Sequence, residues 1–143
     1  MTYITSVEKT DDRHRSKWII HNGWQWILAE FNRESQLKEF AKQLGFTYEL
    51  REEENSPTYG VYRKYDMSHQ IDDKPHSFFT LDELPEGVQP IKALSNGSIV
   101  TCYHRIVADR IEIYRPNPNA APDVYDPLPI SEHIGHVLRF GNY

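Results

Sequence analysis

Histidines, a single cysteine and scattered carboxylates are the groups in this 143-residue chain that could do chemistry. His133 and His136 stand three apart, so a helical segment would carry both imidazoles on one face. That spacing can hold a metal ion if other segments bring further ligands, and His69 and His76, with Asp72 and Asp73 between them, are the candidates. The plainer reading is a polar helix face with two ordinary titrating imidazoles. Nothing in these spacings demands a metal or any other cofactor.

Cys102 and His104 are separated by one residue in an apolar run, so on a strand both side chains project to the same side, as a thiolate and its base would. Val100, Ile106, Ile111 and Ile113 share that side, which marks it as a core face. A small buried thiol beside a core histidine therefore competes with a catalytic pair. The chain has no Gly-x-Gly-x-x-Gly, no phosphate-cradling Gly-Lys-Ser loop, no Gly-x-Ser-x-Gly elbow and no His-Glu-x-x-His pair.

The string His133-Ile134-Gly135-His136 matches a signature of the ATP site in class I aminoacyl-tRNA synthetases. In that family it follows a first Rossmann strand and opens a long helix. Here it lies near the end of the sequence with no nucleotide fold after it, so the match carries no function.

Aromatic residues supply the other candidate chemistry, at 13% of the chain. Trp18, Trp24 and Trp26 crowd one segment, and Tyr62 and Arg63 sit in a run that also holds Tyr59, Lys64 and Tyr65. Rings of this size favour interfaces, and basic groups among them can hold an anion. Arg13, His14, Arg15 and Lys17, beside Trp18, form a second basic group, partly cancelled by Asp11 and Asp12. The net charge of -5 denies the chain a general attraction for phosphate, so nucleic acid is not an expected partner.

The elements that would position these residues follow from turns and periodicity. Asn22-Gly23 supplies the two positive-φ residues of a tight hairpin turn. Its strands would pair Trp18 with Ile27 and Ile19 with Trp26, leaving both faces apolar: Ile19, Trp24, Trp26 and Leu28 on one, and Trp18, Ile20, Ile27, Ala29 and Phe31 on the other. Residues 24–31 also fit a helical spacing. Asn32 or Ser35 can cap a helix with Leu37, Phe40, Ala41 and Leu44 inward, stopped by Gly45, with Phe46 folding back.

Residues 47–52 and 59–65 alternate as strands around an acidic turn at 52–57. Residues 66–77 read as a loop, mobile or functional, and 81–94, broken by Pro85, Gly87 and Pro90, as a short helical turn or an irregular strand. A second hairpin closes near Ala108-Asp109 and places Arg105 opposite Glu112. Five prolines make 115–130 an extended connector outside any sheet interior, leading to a short C-terminal helix with Ile134, Val137 and Leu138 inward.

The expectation is one α+β domain over residues 1–143, a mostly antiparallel sheet of about five to seven strands packed against one or two helices. One cysteine excludes an internal disulfide and suits a reducing compartment. The opening residues offer no apolar stretch for a signal, and no run reaches the roughly 18 apolar residues of a membrane span, so a soluble cytoplasmic protein without membrane partners is expected. The favoured function is a protein-interaction or ligand-binding module, including a homodimer, using the aromatic hairpin or the Tyr-rich strand. The alternative is a small hydrolase-like enzyme with a histidine-based, metal-dependent or Cys102–His104 site.

Overall fold

The computed structural model describes residues 5–11, 16–21, 27–56, 60–72, 74–95, 98–121, 124, 128–129 and 138–139. Alternating side chains and short turns produce two sheets among them. The first contains β1 (Ser6–Asp11), β2 (Ser16–His21), β3 (Ile27–Phe31), β4 (Tyr48–Ser56) and β5 (Gly60–Met67), in the order β3-β2-β1-β5-β4, with every neighbouring pair antiparallel.

The second sheet is mixed. It runs β12 (Leu138–Arg139), β8 (Gln89–Ser95), β9 (Ser98–Val107), β10 (Arg110–Pro116) and β6 (Gln70–Ile71), with β7 (His76–Phe78) on β10 and β11 (Leu128–Pro129) on β9. β6 and β7 lie parallel to β10, and β12 lies parallel to β8. The fold is thus mostly antiparallel and has one α-helix among the described residues, but the strands form two sheets rather than one.

That helix, α1 (Glu34–Leu44), buries the expected stripe of Leu37, Phe40, Ala41 and Leu44. Its N-cap is Arg33, not Asn32 or Ser35. The Gln36 carboxamide oxygen accepts from the Asn32 and Arg33 amides at 3.2 and 3.3 Å and satisfies donors the helix leaves open. At the other end Gly45 takes φ 83°, and the amides of Gly45 and Phe46 both reach the Ala41 carbonyl. Phe40 meets Phe31 of β3 with ring centroids 5.2 Å apart and Phe46 at 6.3 Å. One buried apolar cluster takes in Val7, Ile20 and Phe31 from the first sheet, Leu37 and Phe40 from α1, and Ile91, Val100, Ile111 and Leu138 from the second.

The first hairpin forms, and residues 27–31 are strand rather than helix. Its register differs from a two-residue turn: Trp18 stands opposite Phe31, Ile20 opposite Ala29 and His21 opposite Ile27, with a bulge between Ile20 and His21. The turn residues 22–26, including Trp24 and Trp26, lie outside the described residues. This register keeps Trp18, Ile20, Ala29 and Phe31 on one buried face, which is the term that selects a strand register. Among the described residues the opposite face carries the Lys17–Glu30 ion pair and a His21–Glu8 contact of 2.7 Å, while Trp24 and Trp26, expected on that face, lie outside them.

Three further expectations change. β4 runs through the acidic residues to Ser56, with Glu52 in register with Lys64 and Glu53 with Arg63, so this stretch is strand where a solvated turn was expected. β10 continues into buried Pro116, and Leu128–Pro129 pairs with β9, so the proline-rich stretch joins a sheet at both ends. Proline is compatible with the ends of paired segments, where no ladder amide is needed. Leu138 and Arg139, expected in the last helix, pair parallel with Ala93 and Leu94, while 131–137 lie outside the described residues.

Candidate functional site

Two groups of side chains merit chemical attention, and strand alternation builds both. The first is a cleft of about 520 Å³ between α1 and the first sheet. Glu34, Lys38, Ala41 and Lys42 recur at helical spacing and form one wall; Phe46 and Thr47, just past the Gly45 turn, form its end. Tyr48 of β4 and Tyr65 of β5 supply the rest. They are near-diagonal neighbours, since Leu50 pairs with Tyr65, and their rings meet edge to face at 5.7 Å.

Trp18 lies behind these tyrosines, 6.1 Å from Tyr48 and 5.2 Å from Tyr65, and is only 6% exposed. Lys9 covers it at 5.6 Å from the ring centroid. Trp18 is therefore packed beneath the two cleft tyrosines. The Tyr48 hydroxyl donates to the Glu34 carboxylate at 3.2 Å. Burial, then the Glu34 charge and this bond, hold the phenol well above its usual range, so it remains a hydrogen-bond donor. Arg63 is half-buried in β5, and the Tyr62 side chain lies outside the described residues, as do Arg13, His14 and Arg15.

The second group occupies the face of β10 that carries Arg110, Glu112 and Tyr114. The parallel partners β6 and β7 bring in Gln70, Asp72 and His76, because Arg110 pairs with Gln70 and Tyr114 with His76. β9 adds Arg105 opposite Glu112, the pairing expected from the second hairpin. Arg105 Nε donates to Glu112 Oε1 at 2.7 Å, and the Tyr114 hydroxyl donates to the same oxygen at 2.9 Å. Arg110 Nε donates to Asp72 Oδ1 at 2.7 Å. The His76 imidazole stacks on the Tyr114 ring at 4.9 Å. Partial burial of Glu112 opposes its ionisation, but the bonds from Arg105 and Tyr114 outweigh that and hold its carboxyl below the usual range.

The remaining candidates separate. His69 stays outside this group, with Nδ1 3.0 Å from the Ser68 hydroxyl, and His133 and His136 lie outside the described residues. Cys102 and His104 share the core face of β9, fully buried and 4% exposed respectively. Burial pushes the Cys102 thiol up to about 12, which keeps it protonated where a nucleophile must ionise. Burial also lowers the His104 pKa, and among the described residues neither ring nitrogen has a hydrogen-bond partner.

Sequence reasoning missed Glu34, Lys38, Lys42 and Tyr48 as cleft residues, and in the second group it missed Arg110 and Tyr114 and gave Glu112 only as the partner of Arg105. For Arg110, Glu112 and Tyr114 the sequence did hold a cue. Their signal was the alternation in β10, which sets them on the face away from Ile111 and Ile113; the approach of Asp72 and His76 depends on parallel pairing that no local pattern announces. No family model matches the chain, and no curated protein and no solved structure matches it at a significant level. Among the described residues no helix is long and apolar enough to cross a membrane.

Proposed function

We propose that the chain is a small α+β ligand-binding module that takes a planar, amphipathic anion in the Tyr48–Tyr65 cleft. The observation that carries this reading is the pairing of an aromatic floor, Phe46, Tyr48 and Tyr65, with Lys38 and Lys42 on the wall above it. Rings offer stacking area while the ammonium groups select negative charge, and Glu34 already occupies the Tyr48 hydroxyl. A cytoplasmic setting suits the lone, buried Cys102.

The open cleft and flexible lysine stems favour modest affinity. A ligand of ~20 heavy atoms, the size of anilinonaphthalene sulfonate, at ~0.3 kcal/mol per atom gives a dissociation constant on the order of 0.01–0.1 mM. Titration with anilinonaphthalene sulfonate, followed by fluorescence, tests the reading. Saturable binding should weaken about tenfold in Lys38→Glu/Lys42→Glu, which reverses two helix-surface charges without touching the core. Equal affinity in wild type and that variant contradicts it.

A further inference from the structure

None of the polar residues on the outer face of β10 lines the cleft, and their arrangement has a chemistry of its own. We infer that Asp72, His76 and Glu112 form a binding site for a divalent transition-metal cation of the zinc or cobalt type. His76 Nε2 lies 3.6 Å from Asp72 Oδ2 and 3.8 Å from Glu112 Oε2. Those separations are too long for good hydrogen bonds, so the three groups face a common gap instead of satisfying one another. Their donor atoms all fall within 4.8 Å of each other. A cation bound at ~2.0–2.2 Å from nitrogen and oxygen holds its ligands ~3–4 Å apart, so closing the site needs side-chain shifts of ~1 Å.

The surroundings orient the donors as outer partners orient metal ligands. Arg110 takes Asp72 Oδ1, and Arg105 with Tyr114 takes Glu112 Oε1. Each carboxylate thereby keeps its second oxygen for the gap, and the Tyr114 ring fixes the plane of the imidazole. The His76 side chain is 48% exposed, which leaves room for water or another ligand to complete coordination. Two arginines offset the two carboxylates, so raw negative charge does not draw a cation in. An imidazole nitrogen with oriented oxygens selects zinc or cobalt over magnesium and calcium, which rely on several oxygens and net charge.

The test uses the full chain prepared without an affinity tag, titrated with Co²⁺ by calorimetry and visible absorption, with Mg²⁺ as the contrasting ion. Wild type should bind a single equivalent of Co²⁺ and show ligand-field bands, with no comparable Mg²⁺ binding. His76→Ala, at an exposed position, and Glu112→Gln should each weaken binding about 10–100-fold. His69→Ala and His133→Ala/His136→Ala should bind as wild type does. Circular dichroism confirms that each variant is folded; if Glu112→Gln is not, His76→Ala decides. The inference is overturned by the absence of saturable Co²⁺ binding in wild type, by wild-type affinity in folded His76→Ala, or by loss of binding in the His133/His136 variant alone.

Discussion

Replacing His104 with leucine should make the protein more stable. Its imidazole is 4% exposed on the core face of β9, opposite Gln89 on one side and Ile113 on the other, and among the described residues neither ring nitrogen has a hydrogen-bond partner. Burying a polar group without a partner costs about 1–3 kcal/mol, and leucine has similar bulk without that cost. His104→Leu should therefore gain about 1–3 kcal/mol at pH values where the imidazole is neutral in both states. Below that range the gap widens. Burial lowers the folded-state pKa from 6.5, so the unfolded chain takes up the proton more readily. Above pH 6.5 this linkage contributes no loss; as pH falls through 6.5 toward the folded-state pKa, wild type loses stability with a limiting slope of about 1.4 kcal/mol per pH unit. The variant lacks that component. Urea unfolding followed by far-ultraviolet circular dichroism across this range measures both effects. A variant less stable than wild type above pH 6.5, or one with an unchanged acid slope, refutes the reasoning.

Gly45→Ala should destabilise by about 1–2 kcal/mol in thermal melts, because a side chain at φ 83° is strained and its Cβ would stand 2.9 Å from Ile106 Cδ1. Phe31→Ala should cost about 3–5 kcal/mol, measured by chemical denaturation, since the ring is 1% exposed and packs on Phe40. Arg105→Ala should leave the thermal-melt midpoint close to that of wild type, because its bond to Glu112 is solvent-accessible and Tyr114 continues to donate to that carboxylate. Cys102 should resist thiol reagents in the native protein and react at the rate of a free thiol once denatured, followed by absorbance of the released chromophore.

Local signals carried the elements that depend on near neighbours. The Leu37, Phe40, Ala41 and Leu44 stripe with Gly45 after it specifies α1, since each residue acts within one or two turns. The second hairpin is similarly local: Ala108 adopts φ 57° at the turn, and the register that follows sets Arg105 opposite Glu112. β1 was not legible, because Val7 is the only apolar residue in Ser6–Asp11 and its place between β2 and β5 is decided by what those strands offer. The acidic stretch of β4 likewise takes its place from its register with β5, a strand it cannot see locally.

The candidate sites divide along the same line. His76 and Asp72 were visible as a reservoir of ligands, but Glu112 joins them only through parallel pairing of β6 and β7 with β10. Trp18 stood out by type, yet Tyr48 and Tyr65 cover it, and those two rings line the cleft. Residue type marks where large area is available. Register decides which part of it meets solvent.

The most direct test of the cleft is amide chemical-shift mapping during a titration with anilinonaphthalene sulfonate. Shifts should concentrate at Glu34, Lys38, Lys42, Thr47, Tyr48 and Tyr65 and saturate together with a dissociation constant on the order of 0.01–0.1 mM. Saturating shifts centred elsewhere, with these amides unmoved, would contradict the proposal.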